Sequence, residues 1–145
     1  MNSIKKLSIL FICIMMFPFL GKTQDKKNVQ QSNSNKIEVI DFHSTHRCMT
    51  CNAIEANTKY TLKTYFSSEM EKGIITFQSV NVDKKVNFAK AEKFQASGTS
   101  LFLNVIIDGN ETIVDLTEFA FRKGRDQEAF SKELASQLDN QLDKF

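Results

Sequence analysis

The sequence predicts an α/β protein in three layers, with helices over both faces of a central, mixed, four-stranded sheet in the order β-α-β-α-β-β-α. Three observations carry that prediction. Two β-rich runs each lead into a helical pattern, and β-α-β crossovers require at least one parallel pair of strands. A later pair of β-rich runs flanks Asp108-Gly109-Asn110, a strong hairpin signal that supplies an antiparallel pair. Finally, Phe130, Leu134, Leu138 and Leu142 recur at four-residue intervals, which gives a last helix one apolar stripe to lay on the sheet.

Residues 1–23 read as a signal peptide. Lys5 and Lys6 precede an uncharged run from Leu7 to Leu20, about the length of a signal core and short for a membrane span. Cleavage before Gln24 would leave the small residues Gly21 and Thr23 at −3 and −1; an uncleaved anchor is the alternative. Cys13 lies inside the apolar run with no small residue before it, so it belongs to the signal and is not a lipid-attachment site. The expected location is therefore outside the cytoplasm, in the periplasm or cell envelope. Residues 24–36 are almost all polar and form a flexible linker, and residues 37–145 form the domain.

The first strand, Lys36 to His43 (KIEVIDFH), carries apolar residues on both faces, as a covered central strand does; Asp41 is its odd residue. Ile54, Leu62, Tyr65, Phe66 and Met70 then recur at helical spacing up to Gly73, a natural C-cap. A helix from about Cys48 to Lys72 would run on the order of 35 Å at 1.5 Å per residue, long enough to invite a kink or an early end. Ile74 to Val82 (IITFQSVNV) is the second strand. After the charged turn Asp83-Lys84-Lys85 comes a short helix, about Asn87 to Ala96, with Phe88, Ala91 and Phe94 expected inward. Leu101 to Ile107 and Glu111 to Phe119 form the hairpin; Gly124 ends a loop, and Asp126 caps the final helix.

A formal net charge of +2, with no aromatic-plus-basic patch, argues against nucleic acid as a partner. The chemistry concentrates in His43-Ser-Thr-His-Arg-Cys48-Met-Thr-Cys51, where the first strand gives way to the first helix. With the signal removed, Cys48 and Cys51 are the remaining cysteines, in a compartment where disulfides persist, and the count makes them partners. A bridge across so small a ring restricts the unfolded chain little, which favours working chemistry over a structural staple. A cysteine at a helix start faces unpaired N–H groups and the positive end of the dipole, and Arg47 adds a cation beside it; both favour thiolate. Cys51, one turn on, is placed to resolve a mixed disulfide formed at Cys48.

Three readings of His43 and His46 stand together. They support the thiolate or shuttle protons; they join the cysteines in a zinc, copper(I) or arsenite site; or one ends a strand, bonded to backbone, while the other is simply exposed. Thr50 either hydrogen-bonds a thiolate or caps the helix. Glu55 reads as an exposed first-turn acid favoured by the helix dipole, with Arg47 or Lys59 as a salt-bridge partner if it has one.

This element order, with C-x-x-C between first strand and first helix, resembles the thioredoxin fold over about Ile37 to Phe145. Ile40-Asp41-Phe42 is similar to the Val-Asp-Phe that leads thioredoxins toward their active site, and Asn81-Val82-Asp83 to the end of their next strand. The resemblance implies thiol–disulfide exchange, with Cys48 attacking, Cys51 resolving, Asp41 as a proton relay, and the redox-active disulfide in place of any cofactor. Two departures stand out. Five residues, not four, separate Phe42 from Cys48, and the loop expected to bind the partner carries Thr99-Ser100 where a cis-proline would lie. Without proline a cis bond costs about 2.5–4 kcal/mol, so a trans peptide is expected.

A narrower resemblance rests on Phe-His-x-Thr-x-Arg-Cys-x-Thr-Cys-x-x-Ile-Glu, Phe42 through Glu55, followed by Asn57-Thr58-Lys59. The run is similar to the ArsF-type family of nitrophenyl-compound nitroreductase subunits, exported thioredoxin-like proteins associated with organoarsenical resistance. It implies a dithiol that delivers electrons to a partner redox protein or reductase subunit. Separately, the signal reading leaves the membrane as a partner only through that segment, if it stays uncleaved. The competing function is a metal or metalloid carrier; the third is an interaction module whose bridge staples a loop.

Overall fold

Strand β1 (Lys36–His43) lies in the middle of the sheet, as its two apolar faces require: Ile37, Val39, Ile40 and Phe42 are all fully buried. The computed structural model describes residues 35–145, so the expected signal peptide, Cys13 and nearly all of the expected linker lie outside the described residues. After β1 come α1 (Met49–Tyr65), α2 (Ser67–Glu71), β2 (Ile75–Asn81), a 3-10 turn (Lys85–Asn87) and α3 (Phe88–Lys93). Then follow β3 (Ser100–Ile107), β4 (Asn110–Asp115), α4 (Thr117–Lys123) and α5 (Gln127–Leu142). Among the described residues no helix is long and apolar enough to cross a membrane.

The sheet order is β2-β1-β3-β4, with β1 parallel to β2 and antiparallel to β3, and β3 antiparallel to β4. The mixed sheet expected from the crossover and the hairpin is therefore present. Alternation along β1 and β3 builds two cores. Ile37 and Val39 meet Leu101, Leu103 and Val105 on the side covered by α1 (Ile54, Leu62) and α5 (Phe130, Leu134, Leu138). Ile40, Phe42, Val80, Val82 and Phe102 meet Ala91 of α3 and Phe94, its C-cap, on the other. Each of the Val, Leu, Ile and Phe side chains contributes about 1.5–3 kcal/mol when fully buried. Helices thus cover both faces, and the domain is a three-layer α/β/α fold of thioredoxin-like topology.

Four local expectations need correction. The long first helix breaks at Phe66, whose N–H still reaches Leu62 O while its backbone leaves the helical region (φ −129, ψ 26), burying the ring and starting α2 afresh. Phe88 points outward, 52% exposed, while Ala91 and Phe94 face the core. The hairpin's second strand stops at Asp115, because Asp115 Oδ1 accepts the Thr117 N–H and turns the chain into α4, which buries Phe119 and Ala120. Gly124, expected to end a loop, caps that helix. As expected, Gly73 closes α2 with φ +71, and Asp126 caps α5 by accepting the Ala129 N–H.

Candidate dithiol site

The chain leaves β1 at His43, crosses a short loop and enters α1 with Cys48 as N-cap, in extended conformation (φ −74, ψ 167). The capping atom is a sulfur: Cys48 Sγ accepts the Cys51 N–H at 3.0 Å. Cys48 and Cys51 are bonded to each other, their Cα atoms 5.0 Å apart. Cys48 is exposed and Cys51 is 8% exposed, so the outer sulfur is open to a partner and the inner one is sheltered. At the N-cap a sulfur anion faces N–H groups with no helical partner and the positive end of the dipole, which lowers the energy of a Cys48 thiolate once the bond is reduced.

Behind the dithiol lies a line of charges. Asp41 has no exposed surface and projects from β1 on the side that carries α1. Arg47 Nη2 donates to Asp41 Oδ2 and to the Cys51 carbonyl, 3.2 Å in each case, while Nη1 donates to Glu55, whose other oxygen accepts from Lys59. Burial drives the Asp41 carboxyl up to about 7, against the opposing pull of Arg47 and with a further push from the Glu55 charge. Burial would raise Glu55 too, but hydrogen bonds from Lys59 and Arg47 outweigh it and hold that carboxyl at about 2. Glu55 is therefore a half-buried bridge between two cations rather than an exposed first-turn acid. The hydrogen bonds of Arg47 run to Asp41, Glu55 and the Cys51 carbonyl, and none runs to the Cys48 sulfur.

The remaining expected residues are distributed around the pair. His43 ends β1 with Nδ1 against the Ser44 carbonyl at 2.9 Å, and His46 is exposed. Among the described residues no three side chains of His, Cys, Asp or Glu come together in a way that could hold a metal ion. Thr50 lies in the first turn of α1 against Gly124: a Cβ on that glycine would come within 3.2 Å of the Thr50 methyl and 2.6 Å of the Ala120 carbonyl. Ser100 opens β3 opposite Phe42, at the same end of the sheet as the dithiol, and donates to Gly98 O at 3.2 Å; Thr99 is half-buried beside it. Among the described residues no peptide bond is cis.

Two contacts come from far along the chain. Asn57 Nδ2 donates to the Gly124 carbonyl at 2.9 Å, and Arg125 Nη2 approaches the sulfur of Met49, 73% exposed beside Cys48, at 3.3 Å. Neither has a sequence signal, since 67 and 76 residues separate the partners. Asn57 and Thr58, part of the run that carries the narrower resemblance, are buried packing residues, with Thr58 bonded to Ile54 O.

No family model matches the chain, and no curated protein matches it. Among solved structures, the thioredoxin of Fasciola hepatica is 23% identical with a TM-score of 0.42, over 64% of this chain and 81% of its own. A second, described as a malarial protein, is 19% identical with a TM-score of 0.39, over 61% of this chain and 96% of its own. The thioredoxin-like topology assigned to this domain rests on its own strand order and on the bonded cysteine pair at the β1–α1 junction.

Proposed function

We propose that the chain is an exported thiol–disulfide redox protein that delivers electrons to a partner. The observation that carries this reading is the bonded Cys48–Cys51 pair at a helix N-cap, outer sulfur exposed and inner sulfur sheltered. In the dithiol state the Cys48 thiolate attacks one sulfur of a partner disulfide, forming a mixed disulfide and releasing the other sulfur as a thiolate. The Cys51 thiol loses its proton and attacks Cys48 Sγ, which re-forms the intramolecular bond and releases the second partner sulfur. Two electrons pass to the partner. Asp41, buried on the α1 side and sharing Arg47 Nη2 with the Cys51 carbonyl, is the group assigned to take that proton.

Export is supported by the basic, then apolar, N-terminal run, and the assignment of a nitro-compound- or organoarsenical-reducing partner by the Phe42–Lys59 run of residues. Titration of the two thiols by alkylation across a series of redox buffers tests the chemistry, and one two-electron transition is expected. Cysteines that never interconvert at accessible potentials would refute it. A Cys51→Ser variant should trap the partner as a mixed disulfide on Cys48, visible as a reductant-sensitive band from envelope fractions; the same band in Cys48→Ser would contradict the assigned roles.

A further inference from the structure

One guanidinium serves two carboxylates. Arg47 reaches Asp41 through a single nitrogen, and that nitrogen is shared with the Cys51 carbonyl, while its other terminal nitrogen is taken by Glu55. As a result Asp41 Oδ1 and Arg47 Nε are both buried without a hydrogen-bond partner. A two-pronged Arg–carboxylate pair would satisfy these atoms and fix Asp41 as a permanent anion; the division of Arg47 prevents it. The charged groups facing Asp41 are Arg47 from the loop and Glu55 and Lys59 from α1. The strands on either side place Ser79 and Leu101 beside it, neither of which titrates in this range.

We infer that Glu55 is a positioning residue for the exchange proposed above: by holding part of Arg47 away from Asp41, it keeps Asp41 free to accept the proton that Cys51 gives up. The inference rests on that redox reading. An aspartate gripped by the whole guanidinium would be too weak a base, and one with no cation would stay protonated and accept nothing. A proton acceptor works best when its affinity lies near the working pH, and Asp41 is placed there, at about 7, by a buried site, half an arginine and the facing charge of Glu55. Lys59 acts in two ways. Its charge opposes the rise of Asp41 directly, and it competes with Arg47 for Glu55, so its loss should leave Glu55 pulling harder on Arg47.

The test uses the full chain, reduced and then mixed with 5,5′-dithiobis-(2-nitrobenzoate). The first thionitrobenzoate released reports attack by Cys48, and the second reports resolution by Cys51. In wild type the rate of the second release should show an inflection near neutral pH that is absent from Asp41→Asn. In Glu55→Gln, with repulsion removed and Arg47 free for Asp41, that inflection should move down on the order of one pH unit, the shift a single neighbouring charge makes. In Lys59→Gln, a substitution at an exposed lysine, it should move up. A wild type that never releases the second equivalent defeats the redox reading itself. Two releases with an inflection that stays put in both Glu55→Gln and Lys59→Gln, or moves the same way in both, overturn the role of Glu55 alone.

Discussion

Asp41 and Phe42 are consecutive residues of one strand, both without exposed surface, and they point into opposite layers. Phe42 packs among Phe94 and Phe102, ring centroids 5.5 and 5.8 Å away, where burial and edge contacts all favour the folded state. Asp41 enters a site where burial opposes its charge, and it is tolerated through one contact with Arg47. Phe42 serves stability. Asp41 gives up stability to hold a titratable group behind the dithiol, and the fold separates the two by nothing more than strand alternation.

The largest expected effect lies on the aromatic side. Phe42→Ala should cost about 3–5 kcal/mol in urea denaturation, the usual range for removing a buried ring. The loss should be equal at about pH 5 and about pH 8, and a strongly pH-dependent loss would show that the two layers are not independent.

On the charged side pH itself is the probe. Asp41 binds its proton more tightly when folded, at about 7 against 3.8, so its contribution is fully present below about pH 4 and is lost as pH rises through about 7. At 1.36 kcal/mol per unit, wild type should lose on the order of 2–3 kcal/mol between about pH 5 and about pH 8. Asp41→Asn should lose none of this, and equal slopes for the two proteins would mean that Asp41 does not titrate there. Glu55 has the opposite sign: its folded value lies at about 2, below the ordinary 4.5, so its contribution fades only in acid, as pH falls through about 2. The smallest effect belongs to the outer end of the charge line, where the Lys59–Glu55 pair is open to water on the lysine side. Lys59→Gln should cost no more than about 0.5 kcal/mol, measured the same way, the value of an ordinary i,i+4 pair.

Much of this architecture is legible in the sequence because its signals are local. The Asp108-Gly109-Asn110 turn, the Phe130–Leu142 stripe and the cysteines at a strand–helix junction each declare themselves within a few residues. Helix α4 does not, since Thr112 to Leu116 continues a strand-like alternation and the turn depends on an Asp115 hydrogen bond that spacing cannot reveal. The break at Phe66 is hidden for a related reason: its ring satisfies the helical apolar pattern, and the backbone gives way only when packed. Arg47 could be seen beside Cys48, but not turned toward Asp41 and Glu55. The clue available was an aspartate alone in an apolar strand, which needs either a cation or a proton.

Gly124 bears on the order of assembly. The cysteine-bearing helix is synthesised early, yet its seat includes a glycine 67 residues beyond Asn57, whose carbonyl receives the Asn57 amide and whose missing side chain leaves room for Thr50 and Ile54. Central β1 likewise awaits β3, with Phe42 pairing across to Ser100. Contacts so distant in the chain close slowly. Until they close, the helix that carries Cys51, with Cys48 at its N-cap, lacks the support that Gly124 gives it.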